Sequence, residues 1–440
     1  MVEEGMRMAR GGSVEQLELF ATGTKTRKQD TSSTFADNLS LPVHRWFRYT
    51  AGFSAEWVRR LIEQQKAEGR SSVLDPMCGS GTVLLEAESC GVKSVGVEAH
   101  PFVARVGKAK LLWRADAKRF LHRAMEVLDK AKSTEATVSG YPDLIHKCYP
   151  MPVLAALDAL RRAWEQDADG SALSELCWLD LASILRACSP VGTAQWQYVL
   201  PAKSKAKVLS PYEAFAGKAS MMAQDMLSRQ RSVSGPQAVL YQEDARECPS
   251  VAEGWADLVI TSPPYANNYD YADATRLEMS FFREIGGWGD LQEAVRAYLI
   301  RSCTQHVSDL VKDTEGLLAA PPLGPIRKDL SAVCRTLEKE RETRGGKKNY
   351  HTMIAAYFKD MAQVWRALRR ATAQGALVCF VVGDSAPYGV YVPVDQWLGE
   401  LALAAGFVSY SFEKTRDRNI KWKNRKHRVP LHEGRLWVRG

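Results

Sequence analysis

The sequence predicts an α/β fold: a doubly wound, Rossmann-like sheet of about seven strands, mostly parallel, with an antiparallel terminal hairpin and helical insertions. Three observations carry this prediction. Short β-branched runs alternate with helical stretches in two separate parts of the chain, the order of a parallel sheet with crossover helices. A glycine-rich turn joins the first strand to a helix. Two closing strands, FVSYSFE and RLWVRG, form a mixed edge of the kind common in α/β sheets.

Taken in order, residues 1–40 form a polar arm whose TKTRKQDTSST carries charge and hydroxyls but no apolar period. Residues 41–114 hold the first part of the sheet. FSAEWVRRLIEQ opens with Ser54 as N-cap and spaces Phe53, Trp57, Leu61 and Ile62 along one helical face. The strand SSVLD, the helix TVLLEAESC, the strand GVKSVGVEA and the helix HPFVARVGKAKLL follow. Residues 115–235 read as a helical insertion, with apolar spacing in FLHRAMEVL, VLAALDALRRAW, LCWLDLASILRA and YEAFAGKASMMAQDML. The sheet resumes over 236–284 with AVLYQEDA and ADLVITSPPY. A charged, Pro/Gly-rich insertion predicted to be irregular spans 285–349, and residues 350–440 supply a helix, the strand ALVCFVVGDS, the helix VDQWLGELALAAG and the hairpin.

The 440 residues suffice for two or three ordinary domains, or for one large α/β domain with insertions. A hydrophobic content of 45% with 25% charged residues is that of a soluble enzyme, and no apolar run is long enough to span a bilayer. The opening MVEEGMRMARGGSVEQLELF lacks the pattern of a signal peptide, so a cytoplasmic location is expected. Nine cysteines are scattered without a Cys-x-x-Cys pair; reduced thiols are expected, with neither a zinc site nor a disulfide framework. A net charge of +8 suits a polyanionic partner without requiring one.

The turn DPMCGSGT runs from Asp75 to Thr82. Gly79 and Gly81 allow a tight bend and close approach to a ligand, and free amides at the helix start favour an anionic group. Glu98 ends the second strand 19 residues beyond Gly79, near the spacing at which an acid reaches ribose hydroxyls. Asp244, in EDAR, is offered to an adenine amino group. The glycine spacing is neither that of a dinucleotide site nor followed by a Walker lysine, so an adenosine ligand without pyrophosphate fits better. Either acid alone is more often a solvated strand end than a ligand contact, and both at the right strand ends shift the odds.

The segment TSPPY places Ser262, Pro263, Pro264 and Tyr265 directly after a strand. Two prolines stop the strand and fix the backbone direction. An exocyclic base amine is a poor nucleophile, because its lone pair is delocalised. The Ser262 hydroxyl and the carbonyl of Ser262 or Pro263 would accept its hydrogens, and Tyr265 would stack on a base swung out of the duplex. Tyr269 and Tyr271 extend that platform or pack into the core. The basic run RDRNIKWKNRKHR, with Arg416, Arg418, Lys421, Lys423, Arg425, Lys426 and Arg428 around Trp422, suits backbone phosphates or a merely solvated hairpin. Arg344, Lys347 and Lys348 form a second basic cluster beside paired glycines, and His44 and His351 receive no catalytic role.

Together DPMCGSGT and TSPPY resemble the signature pair of the amino methyltransferases that modify cytosine N4 or adenine N6 in DNA. The resemblance covers about 41–114, 236–284 and 350–440. It implies a Rossmann-like methyltransferase using S-adenosylmethionine, DNA as substrate, base flipping, and no metal. Asp75, Pro76, Cys78, Gly79, Ser80, Gly81, Thr82, Glu98 and Asp244 would surround the cofactor. HRWFRYTAGFSAEWVRRLIEQ looks like the family's cofactor-packing helix, with Phe53 placed there. Serine before Pro-Pro accompanies cytosine in the family, so Ser262 points to N4-methylcytosine, with adenine N6, RNA, or a non-catalytic DNA-binding protein as alternatives. The resemblance leaves open which insertion recognises the target, the oligomeric state, and whether the chain works with a restriction or defence partner.

Overall fold

The computed structural model describes residues 35–49, 52–194, 198–267, 269–346, 348–418 and 429–440. Seven strands form one sheet: β1 (Ser72–Asp75), β2 (Lys93–Val97), β5 (Val239–Tyr241), β6 (Ala256–Thr261), β7 (Thr372–Gly383), β8 (Ser409–Arg418) and β9 (Leu431–Arg439). Their order is β5-β2-β1-β6-β7-β9-β8. The first five run parallel, and β9 enters antiparallel to both β7 and β8. The expected sheet and terminal hairpin are thus present, with the last-made strand lying inside the edge.

Two-residue periodicity explains why the sheet is covered on both faces. Val73, Leu258, Ile260, Leu377, Cys379 and Val381 face a core shared with α1 (Ala55–Ala67) and α2 (Thr82–Cys90). Their neighbours Leu74, Val259, Val378, Phe380 and Val382 face the other way, against α12 (Tyr350–Ala371) and α13 (Val394–Ala404). α1 begins where predicted: Ser54 Oγ accepts from the Trp57 amide at 3.4 Å, and Trp57, Leu61 and Ile62 are buried.

After α3 (Pro101–Leu111) the chain leaves the sheet for α4 (Ala117–Ser133), α5 (Asp143–Cys148), α6 (Met151–Gln166), α7 (Ala172–Cys188) and α8 (Pro211–Ser232). These pack round Phe120, Trp178 and Phe215, all fully buried. A short antiparallel pair, β3 (Val191–Thr193) and β4 (Val199–Ser204), interrupts the expected run of helices.

The stretch 285–349 is not irregular. After α9 (Arg276–Phe281) it holds a π-helical turn (Gln292–Arg296), short helical turns, α10 (Thr314–Ala319) and the 17-residue α11 (Arg327–Thr343). In α11 the buried Leu330, Cys334 and Leu337 form one narrow stripe, which the surrounding charges disguise in the sequence. All nine cysteines are free thiols, and among the described residues no helix is long and apolar enough to cross a membrane.

Candidate active site

The strand order reverses between β1 and β6, and in open α/β sheets ligands bind outside the carboxyl ends of the strands at such a point. A cleft lies there. Its wall includes Pro76, Met77 and Gly79 after β1, Glu98 to His100 after β2, Asp244 and Ala245 after β5, and Pro264 and Tyr271 after β6. Tyr49, Tyr298, Leu299 and Ile300 complete it.

The turn after β1 is built mostly from backbone. Cys78 N donates to Val97 O at 2.9 Å and Gly81 N to Cys78 O at 2.9 Å. Gly79 has φ +52° and Gly81 φ +85°, the left-handed region that glycine enters without strain. A Cβ on Gly79 would stand 3.0 Å from the Tyr49 ring, so this residue lets an aromatic close over the turn. Asp75, Cys78, Ser80 and Thr82 are buried; Asp75 Oδ1 accepts from the Met77 amide at 3.2 Å. Burial lifts the Asp75 carboxyl to about 7.

Glu98 spans the turn and the next helix. Its Oε2 accepts from Gly79 N and its Oε1 from His100 N, both at 2.8 Å. Burial raises it to about 7, against the lowering effect of those amides. His100 caps α3, is held near 4 by burial, and shares a 2.8 Å hydrogen bond between Nε2 and Thr275 Oγ1. Asp244 lies on the cleft wall, but its carboxylate is gripped by Arg246 Nε at 2.9 and 2.8 Å, and Arg246 also reaches Asp360 at 3.4 Å.

Phe53 is not on this wall. It packs edge-on against Trp57, ring centroids 5.6 Å apart, in the core beneath α1. The aromatic over the turn is Tyr49, four residues earlier, and the segment that carries it is tied down from several sides. Val43 N, the Arg45 guanidinium and Trp46 Nε1 all donate to Asp225, while the buried Lys110 donates to His44 O at 3.2 Å. His44, read without a catalytic role, pairs with Glu86 at 2.7 Å.

The loop after β6 leaves the same carboxyl end of the sheet, beside β7. Ser262 Oγ donates to Val381 O on β7 at 3.1 Å. Pro263 is buried, and Pro264 reaches the cleft. The Tyr265 ring carries the Arg418 guanidinium 5.0 Å from its centroid, and burial together with Glu433 pushes its phenol well up. Arg418 Nη1 donates to Asp384 O at 2.8 Å, and Arg416 pairs with Glu433 at 2.8 Å. Tyr269 and Tyr271 lie with ring centroids 4.4 Å apart, Tyr271 on the cleft wall. Lys421, Lys423, Arg425, Lys426 and Arg428 lie outside the described residues.

A single site therefore gathers Pro76, Gly79, Glu98, Asp244, Pro264 and Tyr271, with Tyr49, His100 and Tyr298 to Ile300 as wall residues not foreseen. The glycine approach under Tyr49 and the buried acid beside it offer a ligand close contact with the turn.

A family profile described as DNA methylase matches residues 9–109. The type II methyltransferase M.AvaI of Nostoc sp. is 25% identical over 399 residues, covering 85% of this chain and 81% of that protein. M.AvaI of Anabaena variabilis matches to the same extent. M.BsoBI of Geobacillus stearothermophilus is 24% identical over 415 residues, covering 85% of this chain and 80% of its own length. Motif pair, sheet and similarity point the same way: the chain is similar to type II methyltransferases over 85% of its length, and its residues 9–109 to a DNA methylase profile.

Proposed function

We propose that the chain methylates the N4 amine of cytosine in DNA at a specific site. The observation that carries this reading is the Ser262 hydroxyl, whose proton is directed to Val381 O at 3.1 Å. Its lone pairs are thereby left to accept hydrogens from an amine. As the nitrogen becomes tetrahedral, those acceptor contacts strengthen, so the hydroxyl favours the transition state over the flat ground state.

S-adenosylmethionine supplies an electrophilic methyl group. Gly79 and Gly81 give its approach, Glu98 accepts from the ribose, and Tyr49 closes the near side. Asp244 serves the adenine amine if Arg246 yields part of its hold. Pro263 and Pro264 fix the Ser262 carbonyl as a second acceptor, and Tyr265 stacks on the flipped base, at which point Arg418 shares or surrenders the ring. The basic hairpin after Arg418 grips phosphates. A restriction partner is in keeping with the type II methyltransferases to which the chain is similar.

The test is mass spectrometry of nucleosides from DNA and from RNA, each incubated with the protein and deuterated S-adenosylmethionine. Labelled N4-methylcytosine in DNA is expected. Labelled N6-methyladenine would overturn the choice of base, and label in RNA alone the choice of nucleic acid. Ser262→Ala should cut turnover by roughly 10²-fold, the scale of a lost transition-state hydrogen bond, while calorimetry finds cofactor affinity unchanged.

A further inference from the structure

The segment 285–300, whose last three residues wall the cleft, also carries an exposed aromatic. In Gly286-Gly287-Trp288-Gly289-Asp290, Asp290 Oδ2 accepts from the amides of Gly286 at 2.7 Å and Gly287 at 3.0 Å, which fixes a tight turn. The turn holds Trp288 outward with 46% of its surface exposed; among the described residues no other tryptophan is as exposed. An indole left in water forgoes the gain of burial, and here the turn, not chance packing, holds it out. Its only exposed large apolar companion on this segment is Tyr298, too little for a stable protein interface.

The ring is backed by the Arg296 guanidinium, 4.1 Å from its centroid. Arg296 is buried, aimed by the π-helical turn, and donates to Asp270 Oδ2 from Nε at 2.9 Å and Nη2 at 2.6 Å. Asp270 lies between Tyr269 and Tyr271 on the loop that begins with Ser262. One guanidinium thus joins an exposed indole to the catalytic loop.

We propose that Trp288 contacts the DNA substrate, stacking on a base beside the target nucleotide when the target leaves the duplex. The inference rests on the reading of this chain as acting on DNA. A glycine-bracketed indole suits a π-face, which every base presents, and the cation beneath it is already neutralised by Asp270. The contact is therefore of stacking type, not phosphate type.

Labelled duplex that the wild type methylates in the nucleoside assay would be titrated by fluorescence anisotropy at several salt concentrations, with wild type, Trp288→Ala and Trp288→Phe. Cofactor affinity would be measured by calorimetry in parallel. The expected result is DNA affinity about 10-fold weaker for Trp288→Ala at every salt concentration, with the salt slope unchanged. Trp288→Phe should recover most of it, and both variants should bind cofactor as wild type does. Affinity of Trp288→Ala within twofold of wild type, or a flattened slope, would overturn the proposal. So would a parallel loss of cofactor affinity in both variants, which would make the indole structural. Methylation by the wild type alongside an unaffected Trp288→Ala sinks this inference alone; a wild type that neither binds nor labels DNA sinks the underlying reading too.

Discussion

The two loops that face the ligand are held in opposite ways. The cofactor turn, Asp75–Thr82, is fixed by its own amides and by the neighbouring strand end: Gly81 to Cys78, Met77 to Asp75, Gly79 to Glu98. The loop after β6, 262–271, is fixed by side chains and carbonyls far away in sequence. Val381 O accepts from the Ser262 hydroxyl, Ser302 O accepts from Asn267 N at 2.9 Å, the Tyr198 hydroxyl meets Asp270 N, and Arg296 with His306 holds the Asp270 carboxylate. A locally closed turn can be preformed for a ligand common to many enzymes. A loop wired to the insertions takes its shape from elements outside the sheet.

The comparison is broken most severely at Asp270. Although burial alone would raise it, bonds from His306 and Arg296 hold this carboxyl at about 2. Asp270→Ala strands a buried guanidinium, and should cost about 3–5 kcal/mol in chemical denaturation while abolishing turnover. In the wild type the sign of the pH effect follows from a depressed folded pKa. The stabilisation is present above the ordinary carboxylate range near 4 and is lost as pH falls towards about 2. Urea titrations between pH 5 and 2 would read it; Asp270→Ala should lack that component of the slope.

Glu98 sharpens the comparison from the other side, because its folded pKa is raised to about 7. A raised carboxyl contributes stability that is complete below the unfolded value near 4.5 and lost as pH rises through about 7. The Glu98→Gln protein keeps an acceptor for only one of the two amides, from Gly79 and His100, so unliganded it should lack the wild type's fall in stability between pH 5 and 8 while binding cofactor less tightly. A fall of the same size in both proteins would mean the buried charge costs nothing. The smallest effect belongs to Gly81→Ala. The new Cβ would find its nearest neighbour 4.0 Å away, so only the left-handed backbone is penalised, about 1 kcal/mol, visible as a small drop in Tm.

How much was legible in the chain follows the same division. The sheet strands and their two-faced burial could be read because alternation in ADLVIT and ALVCFVVG is a local signal. The glycine turn and Ser-Pro-Pro-Tyr were legible because geometry demands those residue types in a row. Phe53 was misplaced for a physical reason: the four-residue spacing to Trp57 that announces the helix also commits Phe53 to that helix's core, leaving Tyr49 for the cleft. Asp244 carries its partner only two residues on, in Arg246, but nothing in the sequence says that the two close on each other. The β3–β4 pair and α11 escaped notice because one is short and mostly exposed, and the other hides a narrow apolar stripe among charges.

The position of β9 has a consequence for how the protein is made. β7 and β8 leave the ribosome before Leu431–Arg439, yet β9 is the strand that lies between them, pairing with seven residues of β7 from Leu377 to Gly383. Until it emerges, the nascent chain carries the open edge of a long apolar strand and a second strand with no partner in the sheet, a state exposed to edge-to-edge association. A stop codon ahead of Leu431 should therefore yield insoluble product, not a weakened enzyme, and slow translation of the basic hairpin would lengthen the interval in which a chaperone is needed.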